Sequence, residues 1–198
     1  MTLEGFPQHL TLRDGTKVVV RSVEATDSNA LLEFYRSLGE ADREFLTDDV
    51  TKPEWVQRFV RLVQLHEIVS LVAEHEGKVI GEATLYRTPH GWTAHVGELR
   101  VSTAPAFRRK GLGTVLAHEL VRVATGLGLE KLIVQMVENQ AAARRTFARL
   151  GFKEEAVLRG HVKDIHGIKR NLVIASNDVS HIWDAMEAMV ADFSPTSG

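Results

Sequence analysis

Apolar positions along the chain repeat with two different spacings, and the changes between them lay out a fold. Leu10-Thr-Leu12, a turn at Arg13-Asp14-Gly15-Thr16 and the run Lys17-Val-Val-Val-Arg21 predict a β-hairpin, because Asp-Gly accepts the positive φ of a tight turn. Ala30, Leu31, Phe34, Tyr35 and Leu38 share one face of a helix running from Asp27, its expected N-cap, to Leu38. Pro53 suits the first turn of a second helix, Pro53–Leu65, with Val56, Phe59, Val60 and Val63 inward. The spacing then shortens to two. Ile68–Glu74 alternates, Glu76-Gly77 turns the chain, and Lys78–Tyr86 returns. After the break at Pro89-His90-Gly91 a third strand covers Thr93–Ser102. Such short connections make the three strands antiparallel neighbours.

The second half alternates more widely. A helix after Pro105 carries Val115, Leu116, Leu120 and Val123 as its buried stripe and ends at Gly126 or Gly128. Lys131–Val137 is largely apolar, as expected of a strand covered on both faces. Another helix begins at Asn139 and stops at Leu150-Gly151, and Phe152–Val162 with Ile168–Ala175 form a last hairpin. Asp178–Phe193 reads as an amphipathic helix bearing Ile182, Trp183, Met186 and Met189. The pattern predicts one α/β domain over residues 1–177 with a mixed, mostly antiparallel sheet flanked by helices. The helix over 178–193 would pack on that domain or on a second copy in a homodimer, and 194–198 would be a flexible tail.

Composition narrows the function classes. The 198 residues suffice for one sizeable core, and 44% apolar with 25% charged residues is ordinary for a globular protein. A net charge of −2 gives no general pull toward nucleic acid or an anionic membrane. No stretch reaches the ~18 consecutive apolar residues of a membrane span. Met1-Thr-Leu-Glu-Gly-Phe-Pro7 has neither the basic start nor the apolar run of a secretory signal, so a cytoplasmic location is the expectation. The absence of cysteine excludes disulfides, a thiolate zinc site and a cysteine nucleophile. Any thioester chemistry must use a thiol carried by a cofactor. Nine histidines are scattered, and the nearest to a pair, His161 and His166, flank turn residues Asp164 and Gly167. No metal is expected.

One segment carries candidate chemistry: Thr103-Ala-Pro-Ala-Phe-Arg108-Arg109-Lys110-Gly111-Leu112-Gly113-Thr114. A strand ends, a loop with three cations and two glycines follows, and a helix starts. The first N–H groups of that helix have no partner inside it, its dipole is positive there, and the glycines allow close approach. A phosphate or pyrophosphate suits such a place. Taken alone, the segment is equally well a turn with a solvated cationic patch. It is not a nucleotide P-loop, because Lys110 precedes the glycines, and it lacks the third glycine of a dinucleotide fingerprint.

Arg108-Arg109-Lys110-Gly111-Leu112-Gly113 resembles the Arg/Gln-x-x-Gly-x-Gly/Ala signature of the GCN5-related N-acetyltransferases (GNAT). Pro105-Ala-Phe107 is similar to the family's usual Pro-x-Tyr, and Asn139 opening a helix that ends Leu150-Gly151-Phe152 is similar to its second landmark. The resemblance spans roughly residues 18–176, and Arg13–Arg21 looks most like bacterial protein-lysine acetyltransferase domains.

The resemblance implies splayed strands forming an acetyl-CoA cleft. The pantetheine arm would pair with Val101, Ser102 and Thr103, with Leu99 further up the strand. The pyrophosphate would lie on Arg109, Lys110, Gly111, Leu112, Gly113 and Thr114, near the Arg108 and Lys110 side chains, and Asn139 would face the cofactor. It implies acetyl transfer to a primary amine, of a protein lysine or a small molecule, by direct attack in a ternary complex. An alkyl ammonium with a pKa of about 10.4 exposes about one free amine in 10³ at neutral pH, a penalty of roughly 4 kcal/mol that a general base relieves in part. Glu98 is the first choice of base, with His95, Glu82 and Glu138 as alternatives; pairing with Arg100 is the competing role for Glu98. Alternation puts His95 and Glu98 on opposite faces of a strand. Phe147 stands where the family often has a tyrosine that protonates the departing thiolate, which keeps open a non-catalytic acyl-CoA-binding role. Glu40, Asp42, Glu44, Asp48 and Asp49 form an acidic stretch, either a solvated loop or a lure for cationic acceptors.

Overall fold

The structure, a computed structural model, describes residues 3, 5–43 and 49–182. The N-terminal hairpin forms where the Asp-Gly signal lies. Strand β1 (Gln8–Thr11) pairs with β2 (Lys17–Ser22), Gly15 takes φ 85°, and Thr16 N–H donates to Asp14 Oδ1 at 3.1 Å. Next come α1 (Ser28–Ser37), the single turn α2 (Glu40–Arg43) and α3 (Pro53–Gln64). Asp27 precedes α1 but does not cap it with its side chain. Its carboxylate instead accepts the Glu24 N–H (2.7 Å) and both Nη groups of Arg21 on β2 (2.7 and 2.8 Å). The residue is spent tying the helix start to the sheet.

Strands β3 (Ile68–His75), β4 (Lys78–Arg87) and β5 (Val96–Thr103) form the expected antiparallel meander. β3 and β4 are covered on both faces, which masks the alternation read from Ile68–Glu74. β5 starts later than expected. Residues 92–95 turn, with Val96 N–H donating to Thr93 O (2.9 Å), so His95 is exposed in the turn and its predicted strand face does not apply.

Helix α4 (Leu112–Gly126) is buried nearly all round and lies against β4 and β5. Gly81 permits that approach: a Cβ there would stand 2.8 Å from Leu116 Cδ1 and 3.2 Å from Leu112 Cδ2. Strand β6 (Lys131–Val137) alternates in burial up to Gln135, so it is covered fully on one face only. Helix α5 (Ala141–Arg149) begins two residues after Asn139, which lies in the preceding turn. The hairpin of β7 (Lys153–Lys163) and β8 (Lys169–Asp178) closes the sheet, with β8 running further than the sequence pattern suggested. Residues 179–182 turn helical, burying Val179 and Ile182. Trp183, Met186 and Met189, along with the rest of the expected terminal helix and tail, lie outside the described residues.

The sheet order is β1-β2-β3-β4-β5-β6-β8-β7, and β5–β6 is the parallel pair within it. One apolar cluster packs α4 on one face around Leu71, Ala83, Leu85, Leu99 and Leu116. A second packs α1 and α3 on the other face around Leu31, Phe34, Val56, Phe59 and Val72. The fold is a mixed, mostly antiparallel sheet flanked by helices.

Candidate active site

The parallel pairing of β5 and β6 is short. It joins Val96, Gly97 and Glu98 to Lys131, Leu132 and Ile133, and then stops. β5 continues to Thr103 on β4 alone, and β6 continues to Val137 on β8 alone. The two strands part at Glu98. Among the described residues, main-chain groups of Leu99–Thr103 on the side away from β4 therefore have no ladder partner, and such an edge offers donors and acceptors to an extended ligand.

The Gly-rich segment closes the wide end of this opening. Pro105–Phe107 makes one 3-10 turn, Arg109 takes φ 60°, and Gly111 takes φ 93° immediately before α4. The chain reverses tightly here, through turn residues 108–111, just before the helix. Among the described residues, no acceptor takes the main-chain N–H of Arg109, Lys110, Gly111, Leu112, Gly113 or Thr114. Main-chain donors at a helix N-terminus suit an anion. A Cβ at Gly113 would meet Thr103 Cγ2 and Val101 Cγ1 at 3.8 and 3.9 Å, which shows how near this helix start lies to the end of β5.

The signature cations are less free than their sequence implied. Arg108 Nη2 lies 2.6 Å from Asp42 Oδ2, and Lys110 Nζ lies 2.8 Å from Asp14 Oδ2. Lys110 holds the Asp14 carboxyl well below the ordinary carboxylate range. Asp42 thus has a local partner, and Asp49 accepts the Thr51 hydroxyl (2.6 Å); Glu44 and Asp48 lie outside the described residues.

Glu98 sits at the fork on the face that α1 and α3 cover. Arg100 Nε donates to its Oε1 (2.7 Å), and Gln135 Nε2 donates across the fork from β6 to its Oε2 (3.0 Å). The pairing with Arg100 anticipated as the competing role is real, yet the carboxylate keeps 17% exposure. The same face of β3 and β4 holds Ser70, Glu82 and Thr84. Glu82 is buried, accepting hydrogen bonds from Ser70 Oγ (2.8 Å), from Thr84 Oγ1 and from the Tyr35 hydroxyl. Burial pushes its carboxyl above the usual range, against the pull of those hydroxyls and of Arg100. Glu138, just past β6, is exposed and accepts from Asn171 Nδ2 (2.7 Å), and His95 lies beyond the start of β5, away from the fork. Asn139 is exposed in the turn before α5, where its carbonyl accepts the Ala141 N–H (2.8 Å). Phe147 packs edge-on against Phe152 with ring centres 5.3 Å apart.

Tyr35, Ser70, Thr84 and Gln135 escaped the sequence reading. Ser70 in Ile-Val-Ser-Leu-Val-Ala and Gln135 in Leu-Ile-Val-Gln-Met-Val are lone polar residues in apolar strands, and that interruption is the signal that could have found them. Among the described residues no group of three or more His, Cys, Asp or Glu could hold a metal ion, and no helix is long and apolar enough to cross a membrane.

Comparison with known proteins agrees with this geometry. Residues 30–152 match the model of the acetyltransferase (GNAT) family. Bacillus subtilis (strain 168) YwnH, which carries the provisional name phosphinothricin acetyltransferase, is 25% identical over 170 residues, covering 82% of this chain and all of that protein. The ribosomal-protein-alanine N-acetyltransferase of Brucella melitensis superposes with TM-score 0.70 at 25% identity, over 80% of this chain and 98% of that one. Salmonella typhimurium yncA, solved with its cofactor acetyl-CoA, shares the fold with TM-score 0.71 at 22% identity, over 82% and 94% of the two chains. Forked strands, glycine-rich helix start and family match converge, and the chain belongs to the GNAT acetyltransferases, acyl-CoA-dependent N-acyltransferases.

Proposed function

We propose that the chain transfers acetyl from acetyl-CoA to a primary amine by direct attack, with Glu98 receiving the amine's proton. The observation that carries the binding half is the run of amides from Arg109 to Thr114, which meet no acceptor among the described residues. They fit a pyrophosphate, with Arg108 and Lys110 adding charge once drawn from their carboxylate partners. The free edge at Val101, Ser102 and Thr103 fits the amides of a pantetheine arm, and Asn139 lies on the far side of the opening. The coenzyme supplies an activated acyl thioester at the fork.

Glu98 is favoured as the base over the alternatives by position. It stands where the strands part and keeps partial exposure, whereas Glu82 is enclosed and both His95 and Glu138 lie outside the fork. A carboxylate there attracts the acceptor as its ammonium form and takes a proton on the way to the free amine. Phosphinothricin and a ribosomal-protein alanine, named in two relatives, differ in size but share a primary amine, and that group is the acceptor proposed here. Phe147 supports a second reading, an acyl-CoA-binding protein without turnover, because no hydroxyl is available there to protonate a leaving thiolate. A thiol with a pKa near 8.5 leaves adequately without one.

Calorimetry with acetyl-CoA, followed by thiol release in the presence of amino acids, N-terminal peptides, lysine peptides and polyamines, tests the proposal. Binding with amine-dependent thiol release is expected, and Glu98→Gln should reduce the rate 10²-fold or more while leaving acetyl-CoA affinity intact. Tight binding with no release for any amine favours the second reading. No binding by folded protein overturns both.

A further inference from the structure

Among the described residues, two side chains donate to the Glu98 carboxylate, one from each side of the fork. Arg100 Nε, on the same strand, takes Oε1 at 2.7 Å, and Gln135 Nε2 reaches across from β6 to Oε2 at 3.0 Å. Gln135 lies two residues beyond Ile133, the last residue of β6 paired with β5, so it stands on the opposite lip just past the point of parting. Alternation puts its side chain on the same face as Ile133 and Glu98, and it is exposed there.

The orientation of the Gln135 amide follows from its partner. A carboxylate has no hydrogen to give, so the amide nitrogen must face Glu98 and the carbonyl Oε1 must turn away from it. No donor among the described residues meets Oε1. Glu98 Oε2, with one bond taken by Gln135, still has room for another. The fork thus presents two acceptors that the Gln135 amide itself holds together, Oε2 of Glu98 and Oε1 of Gln135. The first brings charge and the second brings direction. Half-buried Tyr86, opposite Glu98 on β4, and half-buried Ile133 and Ile174, beside and opposite Gln135, give this polar pair apolar flanks.

We infer that Gln135 is a substrate-binding residue: with Glu98 it seats one nitrogen that carries two hydrogens, and this seat selects primary amines. An uncharged primary amine has two N–H groups and one lone pair. With one N–H on Glu98 and the other on Gln135 Oε1, the lone pair is left for the acyl carbon. A secondary amine has a single N–H, and its extra alkyl group sets one of the two acceptors against carbon. Sites that match a ligand hydrogen for hydrogen discriminate against analogues that leave a polar group unpaired. This rests on the acceptor reaching Glu98 at the fork, as proposed above, yet the seat itself is observable without turnover.

The first test uses coenzyme-free protein. n-Butylammonium is titrated while the Gln135 side-chain NH2 signal, assigned by its loss in Gln135→Met, is followed by nitrogen–proton NMR. Butyltrimethylammonium, with the same charge and no N–H, is the control. A saturable shift with the first ion and none with the second is expected. The second test compares acetylation of n-butylamine with that of N-methylbutylamine, and of a lysyl peptide with its N-methyl-lysyl counterpart. Gln135→Met should lower the primary-to-secondary ratio of kcat/KM about tenfold, mainly through KM for the primary amine, with KM for acetyl-CoA unchanged. Comparing the ratio in variant and parent cancels the intrinsic reactivities of the amines. A Gln135 signal that ignores both ions, or follows both alike, overturns the inference, as does an unchanged ratio in folded Gln135→Met. Where no amine turns over, the NMR result decides alone. If the signal moves as expected but Glu98→Gln stays active, the seat stands and only the role of Glu98 as base fails. If Glu98→Gln is inactive while Gln135→Met matches its parent, the base stands and the seat does not.

Discussion

Arg109 occupies left-handed backbone at φ 60°, a conformation that costs a side-chain-bearing residue about 1–2 kcal/mol. Two residues later Gly111 occupies the same region at φ 93° without that cost. The strain accompanies the tight reversal that leads into α4. Replacing Arg109 with glycine should therefore raise stability by about 1 kcal/mol, and Gly111→Ala should lower it by about the same amount. Gly113 differs: its φ is not positive and a Cβ would make ordinary contacts, so Gly113→Ala should change stability by less than about 0.5 kcal/mol. Urea midpoints at constant m distinguish the three. An Arg109→Gly variant no more stable than its parent would show that the loop carries no strain.

At the scale of elements, the ion pair between Asp42 and Arg108 links α2 to the segment that precedes α4. Both side chains are partly exposed, so the pair contributes less than about 1 kcal/mol to the fold. It does compete with any phosphate for the guanidinium. Asp42→Ala should tighten acetyl-CoA binding by up to about fivefold at low ionic strength, with the gain fading as salt screens the charges. Weaker binding would mean that Asp42 orients Arg108 instead of restraining it. Such a contact was not legible in the sequence, because Asp42 and Arg108 are far apart along the chain and each looks like a solvated charge. Elements with local signals were legible. Asp14-Gly15 gave its hairpin, Pro53 its helix start, and Gly111-Leu112-Gly113 the helix that follows it. Misreadings fell where tertiary contacts outrank local preference. Asp27 reaches Arg21 and the Glu24 amide instead of capping α1, and residues 92–95 turn where β-favouring residues suggested strand. The fork at Glu98 depends on where β5 and β6 stop pairing, and it was reached through family resemblance and not through periodicity.

Over the whole molecule, buried carboxylates of opposite behaviour should shape stability against pH. Burial would raise Asp27, but the Arg21 guanidinium and the Glu24 amide outweigh it and hold the carboxyl low. Burial is likewise overcome in Glu119 by His118 and Arg122, and in Asp164 by the Ile168 amide, Arg170 and the His166 amide. For these three the folded state releases its proton more readily than the unfolded chain. Their stabilisation is complete above the ordinary carboxylate range near 4 and is lost as pH falls below it. They fasten the periphery, namely the entry to α1, the outer side of α4 and the tip of the β7–β8 hairpin, so acid should loosen those parts first. Glu82 runs the other way. Its raised folded value means that its favourable contribution is present at low pH and disappears as pH rises through that value. The Glu82 contribution should therefore fall away as pH rises from the ordinary carboxylate range through that raised value. Thermal melts between pH 3 and 8 test this, with Glu82→Gln flattening that decline and leaving the acid limb unchanged. A Glu82→Gln curve parallel to that of the parent throughout would show that this carboxylate does not carry the slope.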